Sequence, residues 1–311
     1  KVQRDKQELM SQFGLTGRNL EHSRSPEIFR ELWLQSGIVG LSYECLPVEV
    51  VEELPKIWER MPELVGMNVT IPYKETIIPL LSGLSPEAAA IGAVNCIVRS
   101  GKGWLGHNTD GPAFLESLNG FIPEDYGESA LVLGTGGASK AVCWALKTRR
   151  FPYRRVSRSA ADLHYGELPR SWDPAWKLII NTTPLGMWPE VSSAPELPYK
   201  LLDKSFYLYD LVYNPENTLF LALGEQAGCR TKNGLEMLRR QAELSWLYWN
   251  EFYNYGRNGR ADARCAARGA DGRRSRPHLP GEGERSRHRP PRVGAAAGQL
   301  AAWRHLTCHE A

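Results

Sequence analysis

The glycine-rich stretch GTGGASK at residues 134–140 constrains the fold of this chain more than any other segment. An apolar run at residues 130–133 precedes it, and Val142, Ala145 and Leu146 place an apolar side on the segment that follows. A buried strand, a glycine turn and a helix in this order are typical of α/β units that bind dinucleotide phosphates, because unobstructed backbone N–H groups lie at the positive end of the helix. A tight strand–helix turn without a ligand is the alternative that this motif alone leaves open.

The end of the next predicted strand, residues 153–156, indicates which dinucleotide would bind. A site for NAD places an acidic residue there, roughly 20 residues past the glycines, to hold the ribose hydroxyls. This chain has Ser157, Arg158 and Ser159 at that point, and the first carboxylate is Asp162. An arginine between hydroxyls suits a 2′-phosphate, so the sequence predicts NADP. A solvated surface charge is the other interpretation of Arg158.

In the first half of the chain, a lysine follows a predicted strand. Apolar residues 64–67 lead into NVTIPYK at 68–74, where Pro72 ends the strand because proline cannot donate to a strand ladder. Residues 77–81 then have a helix-like apolar pattern. Lys74 at a strand exit in a partly apolar cleft could give a proton to a carbonyl oxygen, although a solvated lysine after a turn is the simpler alternative.

Two serines lie where another helix is predicted to start. Ser25, followed by Pro26 and Glu27, has the pattern of a helix N-cap. Ser23 and Ser25 together could bind an anion such as a carboxylate at the helix N-terminus. Capping accounts for Ser25, whereas the sequence leaves both roles open for Ser23.

Strands and helices alternate along the chain, which predicts an α/β fold with a mostly parallel sheet. Helices are expected at 49–60, with a break at Pro55, and at 85–92. Polar residues follow strands repeatedly, at the edge where open α/β sheets bind ligands. The last helix, 235–252, has an apolar stripe, and its Gln241 is by default a surface residue. The stripe consists of Leu238, Ala242, Trp246 and Trp249.

Composition limits the class of protein. The 311 residues are long enough for two domains, and 42% hydrophobic residues are typical of a globular protein with a core. No run approaches the roughly 18 apolar residues of a membrane span. Six scattered cysteines without a CxxC pair predict a reducing, cytoplasmic location and neither disulfides nor a metal site.

The C-terminal stretch from residue 257 differs from the rest. It carries twelve arginines, no lysine and five acidic residues, a net charge of +7, so residues 1–256 carry −4. Its Arg, Ala, Gly and Pro content predicts a disordered tail at 257–311. A read-through or frameshifted end is the favoured interpretation, and a basic arm for nucleic acid is the alternative.

Eight motifs together resemble the shikimate dehydrogenase family, in order and at compatible spacing over residues 12–253. They are HSRSP (22–26), NVTIPYK (68–74), GAVN (92–95), NTDG (108–111), GTGGAS (134–139), NTTPLGM (181–187), YDLVYNP (209–215) and NGLEML (233–238). The resemblance implies an N-terminal α/β substrate domain (1–110), a Rossmann-type NADP-binding domain (111–234) and a helix returning to the first domain (235–256), with a cleft between the domains.

The resemblance also implies an activity, the reversible NADPH-dependent reduction of 3-dehydroshikimate to shikimate in aromatic amino acid biosynthesis. Lys74 and Asp110 would be the catalytic pair. The implied substrate contacts are Ser23, Ser25, Thr70, Asn95, Asn108, Tyr213 and Gln241. The implied NADP contacts are Gly134, Gly136, Gly137, Ala138, Ser139, Ser157, Arg158, Ser159, Thr182, Met187 and Gly234.

Two stretches depart from the family pattern. Residues 16–20 (TGRNL) are more polar than the usual opening strand and loop, and Arg239 and Arg240 stand where the last helix is usually apolar. Use of quinate or of NAD is an enzymatic alternative: the size of the pocket near Ser23 decides between shikimate and quinate, and the Arg158 region argues against NAD. A nucleotide-binding protein with a nucleic-acid-binding tail is the alternative from another class, and the intact Lys74 and Asp110 argue against it. A monomer or homodimer is expected.

Overall fold

The computed structural model describes residues 11–159 and 161–257, with side chains given up to residue 251. The prediction for the tail at 257–311 falls almost entirely outside these residues. The described chain forms two six-stranded sheets with helices packed against them. This architecture confirms the predicted α/β fold. Among the described residues, no helix is long and apolar enough to cross a membrane.

The first sheet has the strand order β2-β1-β3-β5-β6-β4. β1 pairs in parallel with β2 and β3, whereas β5 runs antiparallel to β3 and β6. The strands are β1 (Ser11–Gly17), β2 (Leu41–Pro47), β3 (Leu64–Val69), β4 (Gly83–Leu84), β5 (Cys96–Ser100) and β6 (Gly103–His107). The helices of this half are α1 (Ser25–Gln35), α2 (Leu54–Arg60), α3 (Pro86–Ile91) and α4 (Asp110–Asn119).

The second sheet is entirely parallel, in the order β12-β11-β10-β7-β8-β9. Its strands are β7 (Ser129–Leu133), β8 (Tyr153–Ser157), β9 (Leu163–His164), β10 (Trp176–Asn181), β11 (Tyr207–Asp210) and β12 (Arg230–Lys232). The helices are α5 (Gly137–Thr148), α6 (Leu168–Ser171) and α7 (Leu219–Gln226). β7, β10 and β11 are buried on both faces, and each therefore contains a run of apolar or aromatic residues without alternation, at 130–133, 178–180 and 207–209.

The last helix, α8 (Leu235–Arg257), packs back on the first sheet. Trp249 is fully buried, stacks on Phe13 and Phe29 with ring centroids 5.0 Å apart, and donates its indole N–H to the Ile97 carbonyl at 3.1 Å. The predicted stripe of Leu238, Ala242, Trp246 and Trp249 belongs to this apolar cluster. At α8 the close approach of helix and sheet requires a glycine, because a Cβ on Gly66 would lie 2.4 Å from Trp249.

One local prediction for the first half is wrong and another is confirmed in part. Residues 77–81 do not form a helix but a single 3₁₀ turn, Ile78–Leu80, because the backbone is already extended at Leu81 and the Ser82 N–H donates to the Trp104 carbonyl. The helical stretch predicted at 49–60 is divided next to Pro55. A 3₁₀ turn (Val51–Glu53) precedes α2, and Pro55 lies in the first turn of α2, where a missing N–H costs nothing. The prediction for 85–92 is confirmed, since Ser85 accepts from the Ala88 N–H and Gly92 ends α3.

Candidate active site

Lys74 and Asp110 form an ion pair at the carboxyl end of the first sheet. Lys74 lies in the turn after β3, where its carbonyl accepts from the Val94 N–H at 2.7 Å. Its Nζ donates to Asp110 Oδ2 at 2.7 Å, and the two side chains are only 17% and 9% exposed. Asp110 is the first residue of α4, where the positive end of the helix favours an acid. The pair is thus both desolvated and pre-positioned.

The other oxygen of Asp110 is also hydrogen-bonded. Asn95 Nδ2 donates to Asp110 Oδ1 and to Thr109 Oγ1, both at 2.8 Å, while Asn95 Oδ1 accepts from the Thr109 N–H at 2.6 Å. Both carboxylate oxygens of Asp110 therefore accept hydrogen bonds, and Lys74 Nζ is the donor of the ion pair.

The residues that the resemblance implies as contacts of the substrate's ring hydroxyls differ in burial and in hydrogen-bond partners. Gln241 is 8% exposed and its Oε1 lies 3.5 Å from Asn95 Nδ2, so the expectation of a surface glutamine is wrong. Asn108 is buried, donating to the Ala93 carbonyl and accepting from the Gly111 N–H, so it holds the turn that carries Asp110. Thr70 is half-buried at the exit of β3, with its N–H on the Thr16 carbonyl.

The serine turn at the start of α1 differs in detail from its prediction. The N-cap position is Arg24, without a side-chain cap, so the assignment of Ser25 as N-cap is wrong. Ser23 Oγ accepts from the Ser25 N–H at 3.3 Å, which gives Ser23 a local partner. The Tyr213 hydroxyl accepts from the Arg24 backbone N–H, and burial raises the pKa of Tyr213. The structure therefore brings Ser23, Ser25 and Tyr213 together.

The glycine turn leaves an open cradle at the start of α5. Gly136 is the N-cap of the helix, and a Cβ built there would meet nothing within 4 Å in the described part of the chain. The first N–H groups of the helix, at Gly137, Ala138 and Ser139, lack intrahelical partners and can bind a phosphate. The Ser139 side chain itself is buried and donates to the Gly134 carbonyl at 2.8 Å, so it supports the turn from behind.

Backbone packing explains two of the other glycines near this cradle. Gly134 has φ +112°, and a Cβ there would lie 2.6 Å from Thr182 Oγ1, which donates to the Leu133 carbonyl at 2.6 Å. A Cβ on Gly234 would lie 2.1 Å from the Leu211 carbonyl oxygen. Thr182 is therefore fixed against the glycine turn, and Gly234 lies directly against the backbone that follows β11. Met187, the third residue expected on the nicotinamide side, is 43% exposed.

The region after β8 fits a phosphate better than a ribose diol. Arg158 and Ser159 are exposed, and Ser157 Oγ accepts from the Ser159 N–H. Asp162, the nearest carboxylate, pairs with Arg155 at 3.2 Å and accepts from the Arg155 backbone N–H at 2.9 Å. The Asp162 carboxylate is therefore occupied by Arg155 of β8. Arg158 makes no ion pair within the described chain.

The comparisons with known proteins agree with this geometry. Residues 15–97 match the family model described as the shikimate dehydrogenase substrate binding domain. Shikimate dehydrogenase (NADP(+)) of Moorella thermoacetica is 38% identical over 260 residues, which cover 76% of this chain and 86% of that protein. The enzyme of Carboxydothermus hydrogenoformans, with the same name, is 36% identical over 256 residues, covering 76% and 90%. The chain belongs to the shikimate dehydrogenase family.

A solved structure supports the same assignment. Shikimate 5-dehydrogenase of Thermus thermophilus, in complex with NADP(H) and shikimate, aligns with a TM-score of 0.68 and 32% identity, covering 77% of this chain and 93% of that one. In the present chain, helix α5 of the second half contacts the first half beside the ion pair. A Cβ on Gly137 would lie 3.3 Å from Lys74 Cβ, and Lys140 Nζ lies 2.5 Å from Glu75 Oε2. Ile91 and Ala93 pack on Ala141 and Trp144 in the same place.

The structure also shows site residues that the sequence did not single out. Asn68, Thr109 and Ser245 are buried and hydrogen-bonded behind the ion pair, and Tyr43 joins them from β2. One signal was present in the sequence: Ser245 follows Gln241 by four residues, so both lie on the same edge of α8. The two arginines that depart from the family pattern do not disturb this helix. Arg240 pairs with Glu116 of α4 and with Glu243.

Proposed function

We propose that this chain catalyses the reversible NADPH-dependent reduction of 3-dehydroshikimate to shikimate, a step of chorismate and aromatic amino acid biosynthesis. The observation that carries the proposal is the desolvated Lys74–Asp110 pair beside the open cradle of the glycine turn. Within one site, the chain has a proton donor, an acceptor that fixes it and a place for a dinucleotide. This combination suits reduction of a carbonyl group to an alcohol.

NADPH, when bound, supplies the hydride for the C3 carbonyl carbon of the substrate. Lys74 gives the proton that the carbonyl oxygen needs, or stabilises the negative charge that develops on it. Asp110 keeps the ammonium group directed at that oxygen, because the 2.7 Å contact limits how far Nζ can move. In the reverse direction, the same lysine accepts the proton from the hydroxyl.

The substrate would lie between the serine turn and α8. Ser23 and Ser25 would bind its carboxylate at the start of α1, with the Tyr213 hydroxyl beside them. Gln241 and Thr70 would contact the ring hydroxyls. Asn95 and Asn108 would contribute to the same contacts while holding Asp110 and its turn in place.

The cofactor would lie along the second sheet. Its pyrophosphate would bind the backbone of Gly134, Gly136, Gly137, Ala138 and Ser139, and its 2′-phosphate Ser157, Arg158 and Ser159. Thr182, Met187 and Gly234 would border the nicotinamide. We assign residues 1–110 and the helix at 235–256 to a substrate domain, and 111–234 to the NADP-binding domain. A cytoplasmic monomer or homodimer is part of the same proposal, which the free Cys45, Cys96, Cys143 and Cys229 suit.

The decisive experiment follows the absorbance of reduced nicotinamide after shikimate and NADP are added to the full chain. NADP reduction that Lys74→Ala and Asp110→Asn each lower by a factor of about 10² or more is the expected result. Both variants should keep the wild-type melting temperature within a few degrees and still bind NADPH, which separates loss of chemistry from loss of fold. Turnover with quinate and not with shikimate would contradict the assignment of shikimate as the substrate. Full activity of Lys74→Ala would contradict the mechanism.

A further inference from the structure

A buried network of hydrogen bonds connects the last helix to the catalytic pair. Ser245 of α8 is fully buried, and its Oγ lies 2.8 Å from the Gln241 carbonyl, 2.9 Å from Asn68 Nδ2 and 3.3 Å from Thr109 Oγ1. Thr109, also fully buried, is the residue directly before Asp110. These three partners of Ser245 come from α8, from β3 and from the turn that carries the catalytic carboxylate, and the buried Cys96 thiol of β5 is a further hydrogen-bond neighbour of Ser245.

Counting protons gives every bond of this network a direction. Ser245 has one hydroxyl proton, and the Gln241 carbonyl can only accept, so Ser245 donates there. In the 3.3 Å contact, Thr109 must then donate to Ser245. Thr109 Oγ1 in turn accepts one proton of Asn95 Nδ2, and the second proton faces Asp110 Oδ1 at 2.8 Å and, at a longer 3.5 Å, Gln241 Oε1. The orientation of Asp110 is thus linked to Ser245 through two side chains.

Asn68, the partner of Ser245 on β3, also has all its polar groups hydrogen-bonded. Asn68 Nδ2 donates to Ser245 Oγ and to the Asn95 carbonyl, at 2.9 and 3.2 Å, and Asn68 Oδ1 accepts from the Tyr43 hydroxyl at 2.9 Å. Both amide protons of Asn68 and its carbonyl oxygen therefore have partners. A network with its protons matched to acceptors has one low-energy arrangement, and removing one member leaves a buried donor unpaired.

We propose that Ser245 is a positioning residue for Asp110, acting through the Thr109 hydroxyl and the Asn95 amide. The inference rests on the proposed function, because Asp110 must act in the reaction for its orientation to matter. Without Ser245 Oγ, the Thr109 proton loses its acceptor and the hydroxyl turns away, which frees Asn95 to leave Asp110 Oδ1. The Lys74–Asp110 pair then spends less time in the orientation that transfers the proton.

The test compares steady-state kinetics of four single variants and one double variant. Ser245→Ala and Thr109→Val remove the two ends of the Thr109–Ser245 bond, and Thr109→Ser keeps the hydroxyl. Ser117→Ala is the matched control, since Ser117 is equally buried and bonded, to the Tyr209 hydroxyl at 2.9 Å, outside this network. We expect kcat to fall about tenfold in Ser245→Ala and Thr109→Val, with KM for NADPH unchanged. Thr109→Ser and Ser117→Ala should stay within about twofold of wild type.

The double variant Ser245→Ala/Thr109→Val separates positioning from general weakening of the fold. If both residues act through one bond, its kcat stays near that of either single variant, instead of falling about 10²-fold. A kcat of Ser245→Ala within twofold of wild type, or additive losses in the double variant, would overturn the inference while the proposed function stands. If Ser245→Ala does not fold, the difference between Thr109→Val and Thr109→Ser decides. An inactive wild type would overturn the proposed function and this inference together.

Discussion

Two buried titratable groups give the folded chain opposing responses to acid. His107 stacks on Tyr248, its nitrogens have no hydrogen-bond partner among the described residues, and burial lowers its pKa from 6.5 to about 4. Burial raises the pKa of Asp210 from 3.8 to about 6, against hydrogen bonds from Thr218, Val212 and Asn181. Below pH 6.5 the unfolded chain binds a proton at His107 that the folded chain does not bind until about pH 4, so stability falls. Between pH 6 and 3.8 the folded chain binds the extra proton at Asp210, so stability rises.

The two effects can be worked out between pH 7 and pH 5. From the pKa values, His107 lowers the free energy of unfolding by about 2 kcal/mol over this interval, and Asp210 raises it by about 1 kcal/mol. Their contributions therefore partly cancel in the wild type. Removing one of them should therefore reveal the other. His107→Phe keeps a ring against Tyr248 and removes the titration, and Asp210→Asn removes the buried charge.

Urea unfolding of the wild type and both variants at pH 7 and pH 5 checks this reasoning. Relative to the wild type, His107→Phe should gain about 2 kcal/mol of stability on acidification and Asp210→Asn should lose about 1 kcal/mol. The difference between the two pH values cancels any constant cost of the substitution itself. Equal pH dependence in all three proteins would refute the reasoning, because it would mean that neither group titrates differently in the folded and unfolded chains.

Three further changes test other parts of the structure. Gly66→Ala should lower the free energy of unfolding by about 1–3 kcal/mol, because its Cβ would overlap Trp249; urea unfolding measures this, and an unchanged midpoint would contradict the packing. Arg158→Ala should raise KM for NADPH at least about tenfold and leave KM for NADH unchanged, since only NADPH carries the 2′-phosphate; equal effects on both would contradict the role of Arg158. Glu75→Gln should cost less than about 1 kcal/mol, because the pair with Lys140 is roughly two-fifths exposed; a larger loss on thermal unfolding would show a stronger link between the sheets.

The sequence was most informative where local chemistry decides the structure. The apolar runs of the second sheet, the glycine turn and the Ser85–Gly92 helix all lie where their patterns predicted, because strand burial, positive φ and capping are properties of short segments. The stripe on α8 was equally predictable, since a 3.6-residue period marks the buried face of any helix. The local pattern pointed to Lys74, and the resemblance to a known family added Asp110 as its partner, a pairing that no local pattern predicts.

The sequence was less informative where a contact depends on the arrangement of distant segments. Gln241 is expected at the surface because its neighbours on the stripe account for helix packing, yet the docked helix turns that edge toward Asn95. Ser25 has the sequence pattern of an N-cap, but it is the first residue of the helix, and the N-cap position is Arg24, which makes no side-chain cap. Only the position of Ser245 on the same edge of α8 as Gln241 could be read from the sequence. Its contacts could not, because Ser245 is 136 residues from Thr109 and 177 residues from Asn68.

Lys74 is contacted by residues from both halves of the chain. Three of the eight motifs, GAVN, NTDG and GTGGAS, each contribute one of these residues. The Lys74 carbonyl is held by Val94 at 2.7 Å and its ammonium group by Asp110 at 2.7 Å, while Gly137 of the second half comes close enough that a Cβ there would lie 3.3 Å from Lys74 Cβ. Gly137 is also the first residue of α5, so the residue that lies against the lysine stem is part of the phosphate cradle as well. A residue larger than glycine at position 137 would therefore press on the stem of Lys74, because 3.3 Å is tighter than an ordinary van der Waals contact.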